Sequence, residues 1–195
     1  MDGLLAEHPW VVRHKLDVHA YRRMGEAGIL GPDDRVELIE GELVAMAPIG
    51  DDHAGTTNRL NRLLVRAAGD AALVAVGNPV RLGDHSEPQP DFALLRPRPD
   101  DYAGGPPVPA DVLLLVEVAS TSLRTDRTVK ARLYARHGVP EYWIVDVAGG
   151  ALERHRDPAP EGYRAVDRLG RDDALAPSAL PAMVLRVADM LPPPP

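Results

Sequence analysis

The run Val112-Leu113-Leu114-Leu115-Val116-Glu117-Val118 constrains the fold more than any other stretch of the chain. It is apolar on both faces until the glutamate, and such a strand belongs in the middle of a sheet covered on both sides. Glu117 is thereby carried towards the interior. Burying a lone carboxylate costs several kcal/mol unless something compensates it. The rest of the chain can supply the cover: 195 residues, 45% hydrophobic and 26% charged, describe a globular chain with a real core rather than a disordered one.

Elements can be placed around that strand. Residues 18–27 read as a helix, with Asp17 as N-cap and Gly28 as its stop. Residues 35–39 and 42–46 flank Glu40-Gly41 and read as a β-hairpin. A helix is expected over 53–68, where Leu60, Leu63, Leu64 and Ala67 recur at helical spacing. Strands are expected at 72–82, 92–96 and 112–118, a helix at 126–137, and a strand at 141–147 that turns through Gly149-Gly150 into 151–156. Short antiparallel strands and proline-rich loops continue to about Met190. The fold class is therefore α/β, bordering on α+β: one central mixed β-sheet flanked by helices, with an N-terminal hairpin. No repeat or long linker divides the chain, so residues 1–190 are expected to form a single domain. Residues 191–195 end it as a frayed polyproline tail.

Composition excludes several classes. No apolar run approaches the roughly 18 residues of a membrane span. Met1-Asp2-Gly3-Leu4-Leu5 lacks the basic segment and apolar stretch of a signal peptide. Cysteine is absent, which rules out disulfides, thiolate metal sites and a cysteine nucleophile, and it fits a cytoplasmic protein. With 22 basic and 29 acidic residues the net charge is −7, so any contact with nucleic acid must be local. Only two of the basic residues are lysines, Lys15 and Lys130.

Two acids and one of those lysines stand out by position. Asp91 follows Pro88-Gln89-Pro90 and opens the strand at Phe92. It either caps a turn or, with Glu117, holds a divalent cation that compensates the buried charge. Mg²⁺ suits one or two carboxylates plus waters and phosphate oxygens. Glu117 could instead pair with an arginine such as Arg124 at the strand's exit. Lys130 lies on the helix that leaves this strand, where a desolvated lysine can carry a proton and an arginine cannot. A solvated helix position is the plainer alternative.

Glu37 in the hairpin reads as a further ligand, an orienting group or one half of a cross-strand ion pair. His53, at the start of the second helix, is a candidate accessory residue or a surface histidine. Arg59, Arg62 and Arg66 form a stripe that could track phosphates, though any solvated helix face looks similar. His14 and His19 are not at metal-ligand spacing, and His85 and His155 read as loop residues. Tyr142 and Trp143 read as core and sheet surface.

Pro90-Asp91 followed by Glu117-Val118-Ala119-Ser120 resembles the PD-(D/E)xK nuclease signature. Three stretches resemble, more specifically, the restriction endonucleases called the Uma family. They are Arg35-Val36-Glu37-Leu38-Ile39-Glu40-Gly41-Glu42-Leu43, Val116-Glu117-Val118-Ala119-Ser120-Thr121-Ser122 and Tyr134-Ala135-Arg136-His137-Gly138-Val139-Pro140-Glu141-Tyr142-Trp143-Ile144-Val145-Asp146. The resemblance spans roughly residues 17–190.

It implies a restriction-endonuclease-like core and a Mg²⁺-dependent endodeoxyribonuclease in which Mn²⁺ substitutes. Asp91 and Glu117 are the implied metal ligands, Lys130 a catalytic residue, and Glu37 the counterpart of the family's hairpin glutamate. Ala119 stands where most of the superfamily has its catalytic lysine; in the Uma family that lysine has migrated to the following helix, which maps onto Lys130. DNA is the expected partner, and a homodimer the expected assembly for cutting two strands. The alternative is an inactive nuclease-fold module that binds nucleic acid or a partner protein, which the net charge and Ala119 favour. A metal-dependent hydrolase for another substrate is also compatible.

Overall fold

The computed structural model describes residues 10–31 and 33–193. The N-terminal residues read for a leader and the last two prolines lie outside the described residues. Leu191, expected in a frayed tail, is instead buried in the core, and the Pro192 carbonyl accepts from Arg171 at 2.6 Å. Helix α1 (Val18–Glu26) starts where Asp17 accepts a hydrogen bond from the Ala20 N–H at 2.6 Å. Strands β1 (Val36–Ile39) and β2 (Glu42–Ala45) pair antiparallel across Glu40 and Gly41, both at positive φ (48° and 82°). That geometry is the twist-matched two-residue hairpin turn. A Cβ at position 41 would lie 2.5 Å from the Lys15 Cβ, so only glycine fits this close approach.

Helix α2 (Asp51–Ala68) begins two residues before the expected start, and its buried stripe runs through Thr56, Leu60, Leu64 and Ala68, leaving Ala67 exposed. Strand β3 (Leu73–Val76) is much shorter than the stretch 72–82. The chain leaves the sheet at Gly77, at φ +61°, and Pro79 follows, which has no N–H for a ladder. Val80 and Leu82 are buried all the same, packed from a loop, which is why their apolarity imitates a strand.

Strands β4 (Phe92–Leu95) and β5 (Val112–Ala119) are buried throughout. Helix α3 consists of α-helical Leu123–Thr125, a π turn over Asp126–Lys130 and α-helical Ala131–Arg136. After it come β6 (Glu141–Asp146), β7 (Ala151–Ala159), β8 (Gly162–Leu169), the two-residue pair β9 (Ala174–Leu175) and β10 (Leu185–Arg186), and α4 (Val187–Met190).

One mixed sheet runs in the order β3-β4-β5-β6-β7-β8. All its neighbours are antiparallel except β5 and β6, which are parallel and joined by α3. One face packs Leu60 and Leu64 of α2 and Met190 of α4 against Leu114, Val116 and Trp143. The other packs Leu133 and Tyr134 of α3 and Ile39 of the hairpin against Leu115, Tyr142 and Ile144. The expected α/β fold with a central mixed sheet and an N-terminal hairpin is thus the observed one.

His155 departs from its reading as a loop residue. It lies in β7, buried, with its ring 5.5 Å from that of Tyr142 and 5.8 Å from that of Tyr163. Among the described residues, no helix is long and apolar enough to cross a membrane.

Candidate active site

Side chains alternate across a strand, so Glu117 shares the α3 face of β5 with Leu115 and Ala119. It therefore meets helix α3, where Lys130 and Tyr134 stand one turn apart. Both donate to Glu117 Oε1, the ammonium at 2.9 Å and the phenol at 2.9 Å. The π turn shapes this helix: the Ala131 N–H bonds to the carbonyl of Asp126, five residues back, and both Asp126 and Lys130 are buried. Asp126 is held by Ser122, whose hydroxyl donates to Oδ2 at 2.6 Å. Glu117's partners are thus Lys130, Tyr134 and the backbone of Asp91, rather than Arg124.

Asp91 sits where β4 begins, two residues' pairing short of the end of β5. Its backbone N–H donates to Glu117 Oε2 at 3.3 Å. Its Oδ2 accepts from the Val118 N–H at 2.7 Å and faces His53 Nε2 at 3.1 Å. A carboxylate only accepts, so Nε2 carries the proton. Thr57 Oγ1 lies 3.4 Å from the other ring nitrogen. From the hairpin, buried Glu37 accepts from the Gln89 N–H at 3.1 Å through Oε2, while its Oε1 lies 3.4 Å from the Lys130 ammonium. Asp91, Glu117, Lys130, Glu37 and His53 all line one groove of about 220 Å³.

Burial dominates the electrostatics. It raises the Glu117 carboxyl to about 8, against the pull of Lys130 and with the push of Asp91 and Asp126. Burial also raises Asp126. For Lys130 burial acts downwards, but Glu117, Glu37 and Asp126 outweigh it and hold the ammonium above the ordinary lysine range. Lys130 is therefore a fixed positive charge at neutral pH, suited to orienting and neutralising rather than to taking up a proton. The hydrogen bond to Asp91 raises His53 against its own burial.

Tyr134 and Asp126 belong to this group and carried no assigned role in the sequence. Their only signal was spacing: they flank Lys130 at four residues on either side. Gln89, which ties Glu37 to the Asp91 loop, gave no signal at all. Arg59, Arg62 and Arg66 form no ion pair among the described residues and leave the outer face of α2 cationic.

With this geometry in view, the family model described as "Putative restriction endonuclease", Uma2, matches residues 18–188. The chain belongs to the Uma2 family. Among solved structures it is similar to the crystal structure of a protein from Anabaena variabilis, titled a "putative nuclease belonging to DUF820". That likeness has a TM-score of 0.66 at 14% identity and covers 90% of this chain and 97% of the other. A search of curated proteins finds no match. The Uma2 fold thus brings the Asp91 and Glu117 blocks to adjacent strand ends.

Whether these residues suit a metal can be tested on their oxygens. Among the described residues, Asp91 Oδ1 accepts no hydrogen bond, and Glu117 Oε2 takes only the long bond from Asp91. Among the described residues, no group of three or more His, Asp or Glu side chains is set to hold an ion. Two carboxylates with open oxygen positions, inside an acidic groove, fit a hard cation that keeps several waters, such as Mg²⁺ or Mn²⁺, and not a site of imidazoles.

Proposed function

We propose that this Uma2 protein is a Mg²⁺-dependent endonuclease that hydrolyses phosphodiester bonds in DNA. The supporting observation is that Asp91 and Glu117 line one groove side by side, the Asp91 N–H donating to Glu117 Oε2 at 3.3 Å and the Lys130 ammonium to Oε1 at 2.9 Å. Asp91 and Glu117 would hold the cation, which when bound polarises the scissile phosphate and lowers the pKa of a nearby water.

The chain's own groups do the rest. The Val118 N–H and His53 occupy Asp91 Oδ2 and so fix the carboxylate's rotamer. Tyr134 fixes Glu117 in the same way. Lys130, gripped between Glu117 and Glu37, orients the attacking water and offsets negative charge that grows on the phosphate in the transition state. Arg59, Arg62 and Arg66 supply a local phosphate-tracking face on a chain that is acidic overall. We take the working form to be a cytoplasmic homodimer, so that two sites meet two strands. Sedimentation equilibrium checks the dimer, and a strict monomer would remove it.

The reading itself is tested by incubating oligonucleotide and plasmid DNA with the chain in Mg²⁺, in Mn²⁺ and in chelator. Cleavage in either metal and none in chelator is expected. An intact substrate in both metals, together with a flat calorimetric titration of Mn²⁺, would leave instead an inactive module that binds nucleic acid or a protein.

A further inference from the structure

Beside the carboxylate groove lies a larger cavity, about 610 Å³, within the ordinary range for small-molecule sites. It is bounded by α2, by the end of β3 and by the segment that leads from the hairpin to α2. Arg35, Met46, Ile49, His53, Gln89 and Asp91 line both spaces and form their common wall. We propose that this cavity takes the nucleobase of the nucleotide next to the scissile phosphate. The proposal rests on the nuclease reading for where that phosphate lies.

Three features favour a base over other occupants. First, the wall includes two large aliphatic side chains that remain open to solvent, Ile49 at 58% and Val76 at 41%. Exposed apolar surface grouped in a cavity marks a contact face, and a flat ring can lie against it. Second, Asn58 and Gln89 add amides, each with donors and an acceptor, which is the complement of a base edge. Third, Asp34 and Asp91 line the cavity together with Arg35 and His53, so the acidic and basic groups of its wall offset one another. Such a wall does not single out a second phosphate and tolerates a neutral base. A base reaches such a cavity only out of its stack, so the substrate is single-stranded or locally unpaired DNA at the cut.

The probes are 2′-deoxyadenosine 5′- and 3′-monophosphate, set against 2-deoxyribose 5-phosphate, titrated calorimetrically in Ca²⁺ so that binding is read without turnover. At least one deoxyadenylate should bind about tenfold tighter than the sugar phosphate or better. Val76→Trp, which fills the cavity, should bring that nucleotide down to the affinity of the sugar phosphate. Ile49→Ala, at an exposed loop position and so without risk to folding, should weaken the nucleotide severalfold and the sugar phosphate not at all.

Equal affinities for nucleotide and sugar phosphate, or no binding of either, overturn the proposal. The two readings fail separately. Base-dependent binding by a chain that cuts no DNA keeps the pocket and sinks the nuclease. Metal-dependent cleavage without base-dependent binding does the reverse.

Discussion

Helix α3 carries two charged networks that start only three residues apart, and they are built on opposite plans. Arg127 and Arg168 share two acids: Arg127 forks onto Glu153 with Nε at 3.0 Å, and Arg168 reaches Glu153 at 2.8 Å and Asp146 at 3.0 Å. The charges balance, and both arginines keep 40% or more of their side chains in solvent. Around Lys130 the charges do not balance. Glu37, Glu117 and Asp126 act on a single ammonium whose side chain is 9% exposed, and Asp91, which faces His53, acts on Glu117 in turn.

A balanced, half-wet network of planar forks is a staple between β6, β7, β8 and the helix. A dry cluster with more carboxyls than cations pushes Glu117 up to about 8, and the divalent cation proposed above would draw that carboxyl back to its ionised form. The lysine fits this difference, since a compact ammonium serves where the arginine fork has no room.

Removing a ligand from the unbalanced cluster should have the largest effect. Asp91→Ala or Glu117→Ala is expected to lower Mg²⁺-dependent DNA cleavage by about 10³-fold or more, because the cation's contribution to the transition state is several kcal/mol. Circular dichroism should show the fold retained. Cleavage at the parent rate by either variant would break the contrast between the two networks.

Next comes Lys130→Arg, which keeps the charge and enlarges the group in a closed slot. Displacing Glu117 by about an ångström should cost on the order of 10²-fold in turnover, read in single-turnover assays. An unchanged rate would make Lys130 a solvated helix residue in all but burial.

In the balanced network, Glu153→Gln should leave cleavage and Mn²⁺ binding untouched and lower unfolding stability by about 1 kcal/mol, discounted for the exposure of its arginine partners. Chemical denaturation measures it. A large loss of activity would mean that the two networks are coupled through α3.

The smallest effect concerns His155, which touches Glu153 at the edge of the same staple. Burial lowers its pKa, so the unfolded chain takes up the proton first as pH falls. Stability is therefore lost as pH drops through the ordinary imidazole range. His155→Phe should remove that part of the slope, since among the described residues Nε2 has no hydrogen-bond partner to lose. Denaturation midpoints at neutral and mildly acid pH compare the two, and parallel slopes would refute it.

Much of the architecture was legible because its signals are local. An unbroken apolar run, two residues at a hairpin turn, and an aspartate at a helix start each act within a few positions. The errors arose where burial and secondary structure part company. Val80 and Leu82 are as apolar as strand residues and are buried from a loop, and His155 is a polar residue inside a covered strand. The candidate site was legible as a set of residue types, with Asp91, Glu117, Lys130, Glu37 and His53 all lining one groove. Tyr134, Asp126 and Gln89 were not, because a tyrosine in an amphipathic helix or a glutamine between prolines looks the same whether or not it meets a carboxylate.

Residue order alone decided that Glu117 would be carried indoors, since no strand so apolar can lie at a sheet's surface. The absence of cysteine also decided that no thiolate could serve the chemistry there. Which carboxylates meet was left to the tertiary fold. Asp91 and Glu117 are 26 residues apart and touch because β4 pairs with β5 in the register Phe92 to Val116, leaving the end of β5 free for the Asp91 side chain. Lys130 and Tyr134 face Glu117 because the π turn sets the phase of α3 over the sheet. Periods of two and 3.6 residues are properties of a segment. Register and phase are properties of two segments packed together, and no single stretch of sequence contains them.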